Sequence, residues 1–343
     1  MLTVVILFLF FAIVLYFLLG GADFGAGIIE FFTSDGNKHR TRKTMYQAIG
    51  PIWEANHMWL IIAVVILFVG FPVIYSQMCI YLHIPLLVML MGIIARGTAF
   101  SFRNYDAIKD EKTQALYNHI FVYSSIITPL FLGIIAGSAI SGQIDFGATT
   151  YLSAYIFSWL DWFSVAVGLF TVALCGFLAA IYLIGEADNP TDVQRFIKKA
   201  KALNVAAFIC GGLVFIAAEV QNIHLAHWIF GNTISLVAVI AAFASLIALW
   251  ITISLGRKMI ARIFAAFQVT MILLSVGYRH FPNFIILKGG QNMSLLTDHA
   301  TSKTIDDLGI ALLVGSLIIL PALFYLYYSF RDKASNTVIK EKH

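Results

Sequence analysis

The sequence predicts an all-α polytopic membrane protein with nine transmembrane helices. Of its 343 residues, 60% are hydrophobic and 12% are charged, whereas soluble domains carry about 25% charged residues. Nine apolar segments are each long enough to cross a bilayer, which takes roughly 20 residues of helix. These apolar runs are continuous and do not alternate with polar residues, which favours helices over a β-barrel. The placement of basic residues then sets the orientation of the chain.

The first apolar segment, Leu2–Leu19, is longer than the apolar part of a signal peptide and has no basic residue before it. We therefore interpret it as a retained span. The nine spans are expected near Leu2–Leu19, Ile52–Phe71, Cys79–Phe100, Asn118–Ala139, Phe163–Ile184, Ala202–Val220, Trp228–Leu249, Met259–Tyr278 and Leu308–Phe330.

We interpret residues 1–343 as a single membrane domain built from two four-helix bundles and a ninth helix. Residues 1–140 supply the first four helices, residues 154–280 the second four, and residues 308–330 the ninth. Residues 331–343 form a cytoplasmic tail in this interpretation.

Lysine and arginine residues indicate the orientation. Connections rich in these residues face the cytoplasm by the positive-inside rule. If the odd-numbered connections and the C-terminal tail are cytoplasmic, 19 of the 22 basic residues lie on that side. The three that fall on the other side are Arg279, Lys288 and Lys303. The N-terminus is therefore predicted to be outside and the C-terminus cytoplasmic, as an odd number of spans requires.

The first span ends in a glycine-rich stretch that contains one acidic residue, Asp23. Gly21 and Gly25 form a GxxxG pattern, which lets another helix approach closely. Two interpretations of Asp23 remain open. It is either a proton-relay or structural carboxylate buried between helices, or a helix-end carboxylate in the water of the headgroup region.

The second span begins with a polar stretch, Trp53–Trp59, followed by a wholly apolar run. Glu54 and His57 share one face of a helix, because residues three or four positions apart are neighbours. A charged group at membrane depth is costly and usually faces a bundle interior or a water-filled path. The alternative is an interfacial helix start, with Trp53 and Trp59 anchored at the headgroups.

Arg96 lies toward the cytoplasmic end of the third span, on the same side of the membrane as Asp23 and Glu54. It is expected either to form a buried ion pair with one of these carboxylates or to extend its side chain to the inner interface.

The residues alone do not indicate a metal, phosphate or nucleophile motif. The three cysteines, each in a separate apolar run, are Cys79, Cys175 and Cys210. Their spacing matches neither a metal site nor a disulfide framework. The net charge of +4 gives no indication of nucleic-acid binding. Two classes remain open: a subunit of an energy-transducing enzyme, and a secondary transporter.

Three stretches in order resemble motifs of subunit II of cytochrome bd-type quinol oxidases. Residues 21–27, GADFGAG, are similar to the family motif Gly-Phe-Asp-x-Gly-x-Gly, although Ala22 stands where Phe is usual. Residues 53–59, WEANHMW, are similar to Trp-(Asp/Glu)-x-Asn-x-x-Trp, although His57 stands where Gln is common. Residues 281–302 resemble the outer loop before the last helix. Span number, orientation and motif order extend the resemblance over the whole chain.

The resemblance implies a nine-helix subunit that pairs with a similarly folded subunit I in a bacterial or archaeal cytoplasmic membrane. Subunit I is implied to hold the b-type and d-type haems and the quinol site, where quinols are oxidised and O₂ is reduced to water. This chain is then expected to contain no catalytic residue, no metal and no haem of its own. In some members subunit II helps protons enter or holds a lipid or quinone, and the resemblance is compatible with a small single-helix accessory subunit.

The resemblance implies that Glu54 and Asp23 belong to a proton path or support the subunit interface, and that Trp53, Asn56 and Trp59 hold the start of the second span. His57 and Arg96 are added to the proton-path or interface candidates from the residues themselves. Gly21 and Gly25 are added to the structural residues as the GxxxG pattern described above.

Overall fold

The structure, a computed structural model, describes residues 1–50, 53–105, 110–187, 189–290 and 292–340. Within these residues, nine helices are long and apolar enough to cross a membrane, so the predicted number of spans is confirmed. Their bounds are Leu2–Phe31, Trp53–Gly70, His83–Arg103, Glu111–Ser141, Trp162–Glu186, Pro190–Val220, Thr233–Ser254, Lys258–His280 and Ser302–Leu326.

The first span contains a π-helical turn, Tyr16–Gly20, between two α-helices, α1 (Leu2–Leu15) and α2 (Gly21–Phe31). The remaining helices are α3 (Asp35–Ile49), α4 (Trp53–Gly70), α5 (Pro72–Tyr81), α6 (His83–Tyr105), α7 (Glu111–Ser141), α8 (Tyr151–Tyr155), α9 (Trp162–Glu186), α10 (Pro190–Val220), α11 (Leu225–Phe230), α12 (Thr233–Ser254), α13 (Lys258–His280) and α14 (Ser302–Lys340).

Several spans begin earlier than hydropathy predicts, because polar caps extend the helices beyond the apolar run. The fourth span begins at Glu111, where the Asp110 carboxylate accepts a hydrogen bond from the Thr113 backbone N–H at 3.2 Å. The sixth begins at Pro190, where the Asn189 side chain accepts from the Thr191 N–H at 2.9 Å. Such caps satisfy backbone donors that have no partner within the helix.

Two predicted starts were wrong in the other direction, because short separate helices precede the spans. Cys79 belongs to α5, and the third span begins at His83. Trp228 belongs to α11, and the seventh span begins at Thr233 after an Asn232 cap. An apolar run alone does not show where one helix ends and the next begins.

The helix α9 lies at the centre of the assembly and packs against α2, α7, α10 and α13. In its most apolar stretch 72% of the residues are buried, against 6% for the ninth span. Because α9 contacts helices from both predicted groups, it joins them along its length. The division into residues 1–140 and 154–280 stays a prediction.

A short antiparallel pair of strands, β1 (Asn283–Ile285) and β2 (Met293–Ser294), lies in the connection between α13 and α14. The same segment is fastened to the end of α7, since the Ile286 N–H donates to the Ala139 carbonyl at 2.8 Å. This small sheet is an addition to the predicted all-α fold and does not alter its class.

Candidate functional site

The glycines of α2 allow neighbouring helices to approach closely enough to enclose Asp23. A Cβ atom at Gly25 would collide with the backbone carbonyl oxygen of Cys175 in α9. A Cβ atom at Gly27 would collide with the side chain of Ser125 in α7. Asp23 lies just before these glycines and just after the π-helical turn, and it is only 1% exposed. A buried carboxylate in such a place needs partners of its own.

Arg96 of α6 supplies that partner through a bidentate ion pair. Its Nη1 lies 2.6 Å from Asp23 Oδ2, and its Nη2 lies 2.7 Å from Asp23 Oδ1. The Nη2 also donates to the Asp23 backbone carbonyl at 2.8 Å, and the Nε donates to Ser125 Oγ at 3.0 Å. Arg96 is itself 1% exposed, so its side chain stays inside the bundle and does not extend to the inner interface.

Aromatic rings cover the Arg96 guanidinium on the sides that carry no hydrogen bond. Its Cζ lies 4.9 Å from the Phe121 ring centre and 5.3 Å from the Phe24 ring centre. Cations within about 6 Å of a ring face are attracted by its quadrupole. Charge, hydrogen bonds and rings therefore hold the guanidinium in one orientation.

His57 of α4 contacts the same carboxylate at Oδ2, the oxygen that also accepts from Arg96 Nη1. Its Nε2 lies 3.3 Å from Asp23 Oδ2. Three aromatic rings surround the imidazole, with ring centres at 5.7 Å for Trp53, 5.8 Å for Phe24 and 6.2 Å for Tyr16. The Nδ1 atom is buried and has no hydrogen-bond partner in the described part of the chain.

Glu54 lies one turn before His57 and is exposed. Both side chains line an open pocket of about 390 Å³ between the start of α4 and residues 93–98 of α6. The other residues that line it are Trp53, Ile93, Ile94, Gly97 and Thr98. Arg96 therefore pairs with Asp23 and not with Glu54, and Glu54 faces the pocket.

The remaining motif residues fix the start of α4. Trp53 stacks on Phe100 with ring centres 5.4 Å apart, and Asn56 is 3% exposed. Trp59 is 6% exposed and makes an edge contact with Phe11 at 5.7 Å. Trp53 is half-buried and Trp59 is buried, and the interpretation of both as headgroup anchors stays a prediction.

A second buried ion cluster, which the sequence did not predict, lies two turns further along α2. Glu30 is fully buried and accepts from Arg42 Nε of α3 at 2.6 Å and from Arg103 Nη1 of α6 at 3.0 Å. The Arg103 Cζ lies 4.3 Å from the Phe121 ring centre. Phe121 therefore contacts the guanidinium groups of both ion clusters.

The sequence spacing of the acidic and basic residues in these two ion clusters was the feature that could have indicated their pairing. Asp23 and Glu30 are seven residues apart on α2, and Arg96 and Arg103 are seven residues apart on α6. Residues seven apart lie on one helix face, about two turns from each other. Matched acidic and basic pairs at this spacing indicate two helices joined by two ion pairs.

Basic residues also attach the polar helix α3 to the spans. Arg40 of α3 and Arg195 of α10 both contact the Asp192 carboxylate, at 2.8 and 2.7 Å. The Lys199 ammonium donates to the Phe32 carbonyl at 2.7 Å, at the end of α2 where a cation is favoured by the helix dipole. The segment that leads from α2 to α4 is thus held in place by charge.

The described residues contain no cluster of three or more His, Cys, Asp or Glu side chains that could hold a metal ion. The three cysteines are free thiols, with Cys175 buried against α2.

A sequence model for cytochrome bd terminal oxidase subunit II matches residues 1–330. The chain belongs to this family. It is therefore subunit II of a cytochrome bd-type terminal oxidase, and the resemblance drawn from the three motifs is confirmed. Membership also decides between the two classes left open by the sequence, in favour of the respiratory enzyme subunit and against the transporter.

Individual relatives cover most of the subunit. The chain is 24% identical over 328 residues to cytochrome bd ubiquinol oxidase subunit 2 of Bacillus subtilis, covering 94% of this chain and 93% of the relative. It is 24% identical over 314 residues to cytochrome bd-I ubiquinol oxidase subunit 2 of Escherichia coli, covering 82% and 81%.

The fold of subunit II has a counterpart among solved structures. A chain of the bd oxidase from Geobacillus thermodenitrificans superposes with a TM-score of 0.73 at 18% identity, covering 96% of this chain and 98% of that one. At this identity the likeness concerns the fold. The family also implies a subunit I partner that carries the haems, and the chain itself is a multi-pass membrane protein.

Proposed function

We propose that this subunit supports the haem-bearing subunit I and admits protons from the cytoplasm for the reduction of O₂ to water. Relatives of this chain in Bacillus subtilis and Escherichia coli are named ubiquinol oxidase subunit 2. These names support a quinol as the electron donor of the complex. In this proposal the b-type and d-type haems and the quinol site belong to subunit I, and this chain binds neither haem nor metal.

The proposed orientation in a bacterial or archaeal cytoplasmic membrane has the N-terminus outside. The distribution of basic residues supports it, because 19 of 22 lie on one side of the nine spans. The pocket at the start of α4 then opens toward the cytoplasmic half of the membrane, which is the side from which substrate protons are drawn.

Much of the surface of this subunit is suited to contact with another chain or with lipid. The ninth span is 6% buried, and exposed apolar residues of α14 include Leu317 and Ile318, at 75% and 70% exposure. We propose that subunit I covers part of the apolar surface, and that lipids, a quinone or a small single-helix subunit cover other parts.

The observation that carries the proton role is the position of Glu54. It is exposed on the 390 Å³ pocket, and the pocket also reaches His57, which contacts the buried Asp23 carboxylate. A carboxylate that can exchange protons with solvent and lies beside a second titratable group is suited to proton transfer. Within the described ranges, Glu54 is the acidic residue that lines this pocket.

Glu54→Gln tests this role because it preserves shape and hydrogen bonding but removes the titratable proton. We expect the variant complex to assemble with its full haem content and to consume O₂ at a rate lower by about tenfold or more, given the usual contribution of a positioned acid–base group. Oxygen consumption per haem, measured with excess quinol, checks the prediction.

Glu54→Ala and Glu111→Gln are the accompanying variants. A structural role for Glu54 predicts near-normal turnover for Glu54→Gln and loss of assembly for Glu54→Ala, because a partner would lose its hydrogen bond. Glu111 is exposed in the first turn of α7, so Glu111→Gln serves as the matched control and should leave turnover unchanged. Wild-type turnover in assembled Glu54→Gln would rule out the proton role.

A further inference from the structure

The four basic residues near the start of α10 divide into two sets with different surroundings. Arg195 and Lys199 point into the subunit, where they donate hydrogen bonds to side chains and carbonyl oxygens of neighbouring elements. Lys198 and Lys201 are exposed, and neither forms an ion pair with another residue that the structure describes. Because residues three positions apart share a helix face, the two free ammonium groups lie on one side of α10.

The two exposed lysines lie where α10 enters its apolar part. The apolar run of the sixth span begins at Ala202, directly after Lys201. One and two turns further along α10, Val205 and Phe208 are 57% and 58% exposed. A pair of cations is therefore followed by an open apolar surface on the same helix, as expected at the depth where phospholipid headgroups meet acyl chains.

The helix α12 supplies a second wall beside Lys201. The Lys201 Nζ lies 5.9 Å from the ring centre of Trp250, within the range of about 6 Å in which an aromatic face attracts a cation. Trp250 is half-buried, and Ile247 and Ile251 on the same helix are 50% and 54% exposed. The two helices pack mainly on different neighbours, α10 on α9 and α12 on α13. The lysine–tryptophan contact thus joins two apolar helix faces at their charged end.

We propose that this surface, formed by Lys198, Lys201 and Trp250 and called here the α10–α12 surface, binds the headgroup of an anionic phospholipid. The ammonium groups donate charge-assisted hydrogen bonds to the phosphate oxygens. Trp250 lies at the headgroup level, where tryptophan is enriched. The acyl chains lie against the exposed apolar residues of the two helices.

The leaflet follows from the proposed orientation of the chain. In that orientation the start of α10 is cytoplasmic, and basic pockets between helices on this side of a membrane bind anionic headgroups. Only the choice of leaflet rests on the proposed orientation, because binding depends on the residues of the α10–α12 surface themselves.

A lipid fits this surface better than a soluble anion or a protein chain. A free phosphate ion would leave the adjoining apolar residues uncovered, and a soluble acidic protein would not reach side chains below the headgroups. The apolar residues of α14, which we propose above as a covered surface, belong to another part of the molecule, since α14 packs on α1 and α4.

The test is photo-crosslinking in the assembled oxidase, reconstituted in phosphatidylcholine nanodiscs with a low mole fraction of photoactivatable phosphatidylglycerol. We expect the lipid to label peptides from residues 201–212 of α10 or 243–254 of α12. Unlabelled phosphatidylglycerol should compete with the label, whereas added phosphatidylcholine or inorganic phosphate should not.

The double variant Lys198→Gln with Lys201→Gln should reduce this labelling by about thirtyfold, and Lys201→Gln alone by about fivefold. The reason is that each basic residue at an anionic membrane surface changes affinity by a factor of about five. Both lysines are exposed, so the variants should assemble with full haem content.

Lys112→Gln is the matched control, because Lys112 is an exposed lysine at the start of α7, and it should keep wild-type labelling. Wild-type labelling in the lysine variants would overturn the proposal. So would equal competition by phosphatidylcholine, which would show that charge does not select the lipid, or equal competition by inorganic phosphate, which would show binding of a soluble anion. No turnover is measured, so the outcome is independent of that of Glu54→Gln.

Discussion

Arg96→Leu is expected to abolish most of the assembled oxidase. The substitution leaves the fully enclosed Asp23 carboxylate without either of its two guanidinium hydrogen bonds, and removing one partner of a buried ion pair costs about 3–5 kcal/mol. Arg96 also joins α6 to α7 through Ser125, so the loss affects three helices. Haem absorbance of the purified complex and its thermal unfolding temperature measure the effect.

Two comparisons make the result specific to the buried charge. Arg257→Leu removes an exposed arginine between α12 and α13 and should leave yield and unfolding temperature nearly unchanged. The double variant Asp23→Leu with Arg96→Met removes both charges, and replacing a buried pair by apolar residues is often neutral or stabilising. It should recover a large part of the lost yield. Equal losses in the single and double variants would show that charge pairing is not the cause.

Gly25→Ala is expected to weaken the contact between α2 and α9 substantially. The new Cβ would collide with the Cys175 carbonyl oxygen and lie 2.6 Å from the Ala179 Cβ. Backbone and Cβ atoms cannot rotate away, so the helices must separate, at a cost of about 1–3 kcal/mol or more for an overpacked interior. Unfolding temperature and yield of the complex should both fall, and Gly25→Leu should be worse.

Gly21→Ala is the matched variant one helical turn earlier. Its Cβ first meets the Cys175 Sγ at 3.3 Å, which is the end of a side chain that can adjust. A clearly smaller loss is therefore expected than for Gly25→Ala. If the two variants are equally stable, the close approach at Gly25 does not limit the packing of α2 on α9.

The sequence was sufficient for the number of spans and for the family, because both depend on features that are local in the chain. Long apolar runs mark the membrane crossings, and the two motifs at Asp23 and Glu54 are continuous stretches. Helix ends were harder to predict from the sequence, because α7 and α10 begin in polar sequence outside the apolar runs. These extensions could have been predicted from the N-cap residues Asp110 and Asn189, which directly precede the two helices.

The candidate site could be predicted only in part, because its partners come from different helices. Sequence placed Asp23, Glu54 and Arg96 toward one side of the membrane and left the pairing of Arg96 open. Which carboxylate it binds depends on how α2 packs among its neighbouring helices, where Gly25 allows the close approach of α9 and Gly27 that of α7. Glu30 lies outside the two motifs, although its spacing from Asp23 matches the spacing of Arg103 from Arg96.

The central claim is that protons for O₂ reduction enter from the cytoplasmic side through the Glu54 pocket. Its most direct test is the rate of proton uptake during a single reaction with O₂, in reconstituted vesicles with a pH indicator on one side of the membrane. The account predicts that wild type takes up protons from the side bearing the C-terminus, and that Glu54→Gln with full haem content does so much more slowly. Uptake from that side at the wild-type rate in Glu54→Gln, or uptake from the opposite side, would contradict the account.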